Sequence, residues 1–273
     1  MTVPVGFDAA WLRLREDADA AARARSLLDP LRRRLASRSG LVVCDLGCGT
    51  GAMGRWLAGR LPGPQHWVLF DRDAGLLARA TATLPAVAAD GTPVTAAARR
   101  LDLAALTGHD LAGADLVTAS ALLDVLSLAE VERLAAACAR AGCPVLLTLT
   151  VDGYVRLDPA DPLDAEIAAA SHAHQRRRDG SRRLLGPDAA AAAVEAFARH
   201  GARVLVRGSP WRLGRGQSAL IRQWLQERVA AACRVRPDLA DPATAYLARR
   251  LDAADHGRLR VVVGHRDLLA VFD

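Results

Sequence analysis

Apolar and polar residues alternate in blocks along this chain. Short runs rich in valine, leucine and alanine occupy residues 41–46, 66–71, 114–119 and 143–150. The segments between them carry apolar side chains three and four positions apart, which places those side chains on one face of a helix. Strands that alternate with helices in this way predict an α/β fold whose sheet is mainly parallel and doubly wound.

The same pattern extends the fold on both sides of this core. Leucines at helical spacing predict one or two helices between Asp17 and Ala36, with Asp8 capping a short turn before them. Three further strands are predicted, which makes seven in all: residues 94–101, 202–207, and 259–264 with a continuation towards 271. Helices are predicted at 74–84, where Asp73 is the cap, at 128–141, where Ser127 and Glu130 form a capping box, and at 163–178, 187–200, 217–235 and 242–254.

We therefore expect one domain over residues 1–273, with helices flanking a seven-stranded sheet. Residues 1–40 form an N-terminal helical segment and residues 41–150 form the core. After Val151 the strand–helix rhythm breaks, which indicates an insert over residues 151–186. Residues 187–273 complete the sheet and include a helical pair at about 216–256, interpreted as either a cap or a dimer surface, so the oligomeric state stays open.

A glycine-rich turn follows the first strand. Gly47, Gly49 and Gly51 are separated by single residues, and a segment typical of a helix start comes directly afterwards. Glycine tolerates positive φ and lets a ligand approach the backbone closely. The N–H groups at the start of the helix add donors and a positive dipole end. The turn therefore predicts a nucleotide-like ligand.

The identity of this nucleotide depends on Asp45. The spacing Gly49-x-Gly51-x-x-Gly54, with Asp71 about 20 residues further on, matches the dinucleotide fingerprint, so an NAD-dependent oxidoreductase is one interpretation. A carboxylate at position 45 would repel a pyrophosphate, whereas it would attract an ammonium or sulfonium group. Asp45 favours a cationic ligand over NAD.

The run Asp45-Leu46-Gly47-Cys48-Gly49-Thr50-Gly51 resembles the first motif of class I S-adenosylmethionine (SAM)-dependent methyltransferases. The resemblance extends over about residues 41–149. It implies that SAM is the cofactor, that S-adenosylhomocysteine (SAH) is the product, and that the first-motif residues hold the methionine portion. It also implies that Asp71 binds the ribose and that Asp102 and Leu103 lie at the adenine edge. Arg72, and Ser120 at the end of the fourth strand, are further implied cofactor contacts.

Methyl transfer requires little beyond an acceptor atom held in line with the methyl group. A base is needed only when that atom begins protonated, and no single base stands out. Candidates are Asp124, Asp152 and His174, and His174 and Trp211 are also candidates for acceptor binding. Arg15 is a candidate partner for the cofactor carboxylate, with a solvated arginine as the alternative.

The end of the fourth strand bears on the acceptor class. Ser120-Ala121-Leu122-Leu123 replaces the Asn-Pro-Pro-Tyr or Asp-Pro-Pro-Tyr stretch that holds a planar nitrogen in nucleic-acid and protein amino-methyltransferases of this superfamily. Only five tryptophans, two tyrosines and four phenylalanines are present, too few to suggest a base-stacking surface. We expect O- or N-methylation of a small molecule. An RNA or protein methyltransferase and a non-catalytic SAM-binding protein remain alternatives.

Charge and cysteine content add little to this interpretation. All 36 basic side chains are arginine and the net charge is +6, but arginines and aspartates are interleaved, which favours solvated faces over a nucleic-acid groove. The arginine-bearing insert from His172 to Arg183, which includes the cluster Arg176–Arg178, favours an anionic or polyhydroxylated acceptor. The five cysteines lack zinc-site spacing, so no metal is predicted.

No leader and no run of transmembrane length is visible, which favours a cytoplasmic protein without membrane contact.

Overall fold

The structure, a computed structural model, describes residues 8–272. Its strands are β1 (Leu41–Leu46), β2 (Gln65–Asp71), β3 (Val94–Arg100), β4 (Leu116–Ser120), β5 (Val145–Asp158), β6 (Arg178–Asp179), β7 (Arg182–Arg183), β8 (Arg203–Gly208), β9 (Trp211–Leu213) and β10 (Arg260–Val271). Its helices are α1 (Ala9–Ala22), α2 (Leu28–Leu35), α3 (Ala52–Leu57), α4 (Ala74–Thr83), α5 (Leu128–Ala141), α6 (Asp164–Gln175), α7 (Ala189–Arg199), α8 (Ser218–Val235) and α9 (Ala240–Asp255).

The central sheet is mainly parallel and has the order β3-β2-β1-β4-β5-β10-β8. Strands β1 to β5 run parallel to one another, while β10 is antiparallel to both β5 and β8. The strand order reverses between β1 and β4, and in open α/β sheets ligands bind at the carboxyl ends of the strands near such a reversal. The fold thus directs attention to the ends of β1, β2 and β4.

The sheet has eight strands rather than the predicted seven. Residues Trp211–Leu213 form the short strand β9, which pairs with Val261–Val263 of β10. This strand is only three residues long, and its pairing partner lies about fifty positions further on, so no local alternation revealed it. The hairpin of β6 and β7 forms a separate two-stranded sheet.

Helices cover both faces of the sheet. One face packs against α5 and α7, with Leu134 and Phe197 buried over Val117 and Leu147. The other face packs against α2, α3 and α4 around a fully buried Trp67. Because removal of apolar surface from water is the dominant favourable term in folding, these two layers hold the strand ends in fixed positions.

Strand β5 ends eight residues later than predicted. Its outer part pairs with β10 from Arg260↔Asp158 to Val263↔Val155, so residues 151–158, which the sequence assigns to an insert, extend the strand. Beyond this ribbon, α6 packs on α8 and α9 through a small apolar cluster that includes Ile167, Val229 and Tyr246.

The predicted helix starts at α4 and α5 are confirmed. Asp73 Oδ1 accepts hydrogen bonds from the backbone of Gly75 and Leu76, at 2.8 and 2.9 Å. Ser127 and Glu130 form the predicted capping box. Within residues 8–272, none of the helices combines the length and apolar character needed to cross a membrane.

Candidate active site

The glycine turn joins β1 to α3 at the reversal of strand order. Gly47, Gly49 and Gly51 adopt φ values of 61°, 54° and 86°, in the left-handed region that side chains other than glycine rarely adopt. The N–H of Cys48 donates to Phe70 O at 2.9 Å, which fastens the turn to the end of β2. The turn therefore presents backbone, rather than side chains, at the carboxyl edge of the sheet.

Asp71 at the end of β2 supports this turn directly. Its Oδ2 accepts from Gly49 N at 2.9 Å, and its Oδ1 accepts from Asp73 N at 3.0 Å. Each carboxylate oxygen has a second lone pair, so both can accept a further hydroxyl proton. Arg72 follows in an exposed position, and its carbonyl accepts from Arg100 Nε at 3.0 Å.

Asp45 is buried at the end of β1, with only 1% of its surface exposed. Its Oδ1 accepts from Thr118 Oγ1 at 2.7 Å, while Oδ2 is buried and has no hydrogen-bond partner among residues 8–272. Burial raises the pKa of this carboxyl to about 7. An unsatisfied buried oxygen beside a glycine turn suits a ligand that brings a donor or a positive charge.

The opposite side of the turn faces an apolar wall. A Cβ on Gly47 would lie 3.0 Å from Leu122 Cδ1 and 3.7 Å from Leu103 Cδ1. These leucines border a narrow cavity of about 10 Å³. Asp102 Oδ1 accepts from Ala104 N at 2.9 Å and caps the short helical turn that carries Leu103.

Helix α1 lies across the glycine turn. A Cβ on Gly49 would be 3.1 Å from Leu12 Cδ1. Glu16 binds Arg55 of α3 through two short contacts, Oε1 to Nε at 2.6 Å and Oε2 to Nη2 at 2.7 Å. A charge-assisted pair with two parallel hydrogen bonds fixes orientation well, so α1 covers the turn in a defined position.

The arginine that reaches the site from this segment is Arg23, whereas the sequence pointed to Arg15. Arg15 forms an ion pair with Asp19 at 2.8 Å, and its guanidinium lies 4.9 Å from the centre of the Trp211 ring. Arg23, directly after α1, is 2% exposed and donates from Nη2 to Ser120 Oγ at 3.1 Å. No signal in this arginine-rich segment distinguishes the two positions.

Two residues other than glycine adopt left-handed backbone conformations next to Ser120. Ala121, with φ of 51°, donates its N–H to Thr148 O at 2.9 Å, and Leu149, with φ of 57°, donates to Asp267 Oδ1 at 2.8 Å. Such conformations cost free energy and often occur at functional sites. Ala121 directly follows β4, and Leu149 lies in the first half of β5, so both are close to the carboxyl edge at which Ser120 ends.

The predicted base candidates lie in different surroundings. Asp124 is partly exposed in a short helical turn after β4, and burial raises its pKa to about 6, although Arg15 and Arg177 oppose that shift. Asp152 on β5 accepts from Arg266 Nε at 2.9 Å, so an ion pair already occupies it. The raised pKa of Asp124 makes it the better candidate base, because Asp152 is already held in an ion pair.

The two residues predicted to bind the acceptor do not lie together. His174 is in the last turn of α6, where desolvation lowers its pKa and the nearby charge of Arg234 on α8 lowers it further. Trp211 donates from Nε1 to Asp19 Oδ1 at 2.9 Å and packs against His265, with ring centres 5.2 Å apart. His174 thus lies by the α6–α8 cap, and Trp211 fixes α1 to the sheet.

The glycine turn, the carboxylates that end β1 and β2, and the reversed strand order lie together, as the resemblance to SAM-dependent methyltransferases implies. Residues 43–144 match the family model described as a methyltransferase domain. Residues 43–144 are therefore similar to a methyltransferase domain, which agrees with the prediction of a SAM-dependent methyltransferase.

Several solved structures are similar to the whole chain at low identity. Cyclopropane synthase MmaA2 from Mycobacterium tuberculosis is 12% identical, with 98% of this chain and 100% of that chain covered and a TM-score of 0.47. A SAM-dependent methyltransferase from Geobacter sulfurreducens in complex with SAH is 15% identical, with 96% and 98% covered and a TM-score of 0.43. Similarities of this degree say nothing about the acceptor. No curated protein sequence matches the chain.

Proposed function

We propose that this protein transfers the methyl group of SAM to an oxygen or nitrogen atom of a small-molecule acceptor. The observation that carries the choice of donor is Asp45, whose Oδ2 is buried and unpartnered beside the glycine turn. A cationic methionine end would satisfy this oxygen, whereas the pyrophosphate of NAD would be repelled by it.

The remaining donor contacts follow from the positions of the side chains. Asp71, held by Gly49 N and Asp73 N, has lone pairs left for two ribose hydroxyls. Leu103 and Leu122 suit the faces of a purine, and Asp102 suits its exocyclic amine. When bound, SAM supplies a methyl group on sulfonium, which is a good leaving group, so positioning of the acceptor is the main task of the protein.

We assign Asp124 as the group that accepts a proton from an acceptor that begins protonated. Its pKa of about 6 keeps it largely ionised near neutral pH while leaving it basic enough to bind a proton. An acceptor that is already anionic would not need this step.

A small molecule fits the arginine-rich insert better than a nucleic acid does. Arg176 pairs with Asp188 at 2.6 Å, and Arg182 pairs with Glu130 at 3.0 Å, so neighbouring carboxylates neutralise part of the positive charge. Arg177 is exposed, and its charge lowers the pKa of Asp124. Within the cluster Arg176–Arg178, Arg177 is therefore the best placed to attract an anionic acceptor.

Ligand-dependent thermal stability tests the donor, and product release tests the acceptor. SAH and SAM should raise the melting temperature in proportion to the logarithm of their concentration, and NAD should not, because only a ligand of the native state stabilises it. SAH formation should then be measured with phenols, carboxylic acids and amines, and with RNA and peptides. A shift with NAD alone, or turnover with RNA or peptides alone, would contradict the proposal.

A further inference from the structure

A group of polar side chains lies where α6 and α8 pack together beside the outer part of β5. It contains His172 on α6 and Arg228 on α8, and both side chains are half-buried. Arg228 Nη2 is buried and has no hydrogen-bond partner among residues 8–272. A buried donor without an acceptor costs free energy, so this nitrogen needs an explanation.

The carboxylate whose charge acts on Arg228 is that of Asp164, and it is already engaged elsewhere. Asp164 Oδ1 accepts from Tyr246 Oη at 2.8 Å, and both of its oxygens accept from Arg250 Nη2. Among residues 8–272, Arg228 forms no ion pair within 4 Å. Burial without a close counter-charge therefore lowers the pKa of its guanidinium to about 10. The positive charge of Arg228 is left for an anion from outside the chain.

Stacking on an aromatic ring holds this guanidinium in place. Arg228 lies over Trp224, one helical turn earlier, at 5.2 Å from the ring centre. Trp224 in turn packs against the apolar cluster that contains Trp211 and Leu225. Stacking uses the face of the guanidinium and leaves the N–H groups in its plane, where a carboxylate can accept two of them.

His172 adds a neutral donor next to Arg228. Gly153 of β5 has a φ of 82°, and a Cβ there would lie 3.1 Å from Pro187 Cβ and 3.7 Å from His172 Cε1, so the imidazole lies against the strand. Desolvation, followed by the charges of Arg228 and Arg176, lowers the pKa of His172 to about 4, so the ring is neutral near pH 7 and carries one N–H donor. Arg176 pairs with Asp188, so of these two arginines only Arg228 lacks a carboxylate partner among residues 8–272.

We propose that Arg228 and His172 bind a carboxylate group of the methyl acceptor, with the guanidinium and the imidazole N–H as donors. This inference rests on the proposed function, to which it adds the chemical class of the acceptor. One positive charge and one neutral donor suit a carboxylate better than a phosphate monoester, which carries nearly two negative charges. Arg177 lies close enough for its charge to act on both Asp124 and His174, so the carboxylate site is near the proposed base.

Binding of two small fragments tests this site directly. Benzoate and benzamide have nearly the same shape and differ in charge, so each should be titrated by NMR against the unmodified protein, Arg228→Gln and Arg222→Gln, with and without SAH. Arg222→Gln is the matched control, because Arg222 lies on the same helix and already pairs with Asp255. We expect the unmodified protein to bind benzoate about 10-fold or more tightly than benzamide, as a charge-assisted hydrogen bond would give.

Arg228→Gln should remove this preference by weakening benzoate alone, while Arg222→Gln should preserve it. SAH affinity should be the same in all three proteins, which shows that the variants are folded. Equal binding of the two fragments by the unmodified protein, or a preference that survives Arg228→Gln, would overturn the inference. Tighter binding of phenyl phosphate than of benzoate would overturn the choice of a carboxylate. These outcomes leave the proposed function intact, whereas that function fails if neither SAM nor SAH binds the unmodified protein, and the titrations without SAH still test the carboxylate site.

Discussion

Asp267 Oδ2 accepts a 2.7 Å hydrogen bond from the backbone N–H of Ala24, the residue directly after Arg23. Its Oδ1 accepts from the N–H of Leu149, which has a left-handed backbone conformation within β5, and from Ser209 Oγ. One carboxylate on the last strand thus fixes three segments, and its burial raises its own pKa. The position of Arg23 depends on this connection through its neighbouring peptide.

Replacement of Asp267 should therefore affect stability and donor binding together. Asp267→Asn puts an amide N–H₂ where an acceptor is needed, and we expect the free energy of unfolding to fall by about 1–3 kcal/mol. SAH affinity, measured by calorimetry on the folded fraction, should fall as well. Asp255→Asn, which removes an exposed partner of Arg222, should change neither quantity by a comparable amount. Unchanged SAH affinity in Asp267→Asn would contradict this connection.

Asp45 should make the ligand-free protein less stable as pH rises. The folded state holds the Asp45 proton up to a pKa of about 7, whereas the ordinary value is 3.8, so the unfolded chain releases the proton first. Between these pH values, ionisation costs the folded state free energy, and the free energy of unfolding decreases with rising pH. The difference between the unmodified protein and Asp45→Asn, from urea unfolding at pH 4.5 to 8, isolates this contribution.

The same group gives SAH binding the opposite pH dependence. Ionised Asp45 attracts an ammonium group and protonated Asp45 does not, so SAH affinity should weaken as pH falls below about 7. Asp45→Asn should bind SAH weakly and with a flatter profile. An unchanged profile in the variant would show that another group controls binding.

Asp71 and Asp73 provide a matched pair at the end of β2. Asp73 caps α4 through the backbone of Gly75 and Leu76, while Asp71 holds Gly49 N in the glycine turn. Both replacements by alanine should destabilise the fold by about 0.5–2 kcal/mol. Only Asp71→Ala should also weaken SAH binding, by about 10-fold or more. Equal SAH affinities for the two variants would exclude a ribose contact at Asp71.

Asp124 should determine the acidic limb of the pH–rate profile for an acceptor that begins protonated. Because its pKa is about 6, kcat/KM should rise with pH through that value as the carboxylate forms. Asp124→Asn should remove this limb and lower kcat about 100-fold, while SAH affinity stays unchanged. Asp152→Asn, at a position paired with Arg266, is the control and should retain the limb.

The sequence predicted those parts of the fold that depend on neighbouring residues. The runs that form β1 to β4, the glycine turn between β1 and α3, and the caps at Asp73 and Ser127 each follow from a few consecutive side chains. The extension of β5 was missed, because Asp152-Gly153-Tyr154 interrupts the apolar run. Long-range pairing with β10 stabilises that stretch, and no local pattern records it.

The candidate site was predictable where a motif fixes the backbone and unpredictable where packing selects one residue among similar ones. Asp45 and Asp71 follow from their places at strand ends. Arg15 and Arg23 have the same chemistry in the same alanine- and arginine-rich segment. Only the packing of α1 across the sheet decides that Arg15 forms an ion pair with Asp19 and that Arg23 binds Ser120.

Helix α1 covers the glycine turn but lies outside the segment that matches the family model. The family model begins at residue 43, while Leu12, Glu16 and Arg23 all lie upstream of it. A fragment that starts at β1 would keep every residue that matches the family model. It would lose the contacts that Leu12, Glu16 and Arg23 make with Gly49, Arg55 and Ser120. The residues that match the family model and the residues that cover the glycine turn therefore lie in separate stretches of this chain. Truncation at residue 43 would keep the first set and remove the second.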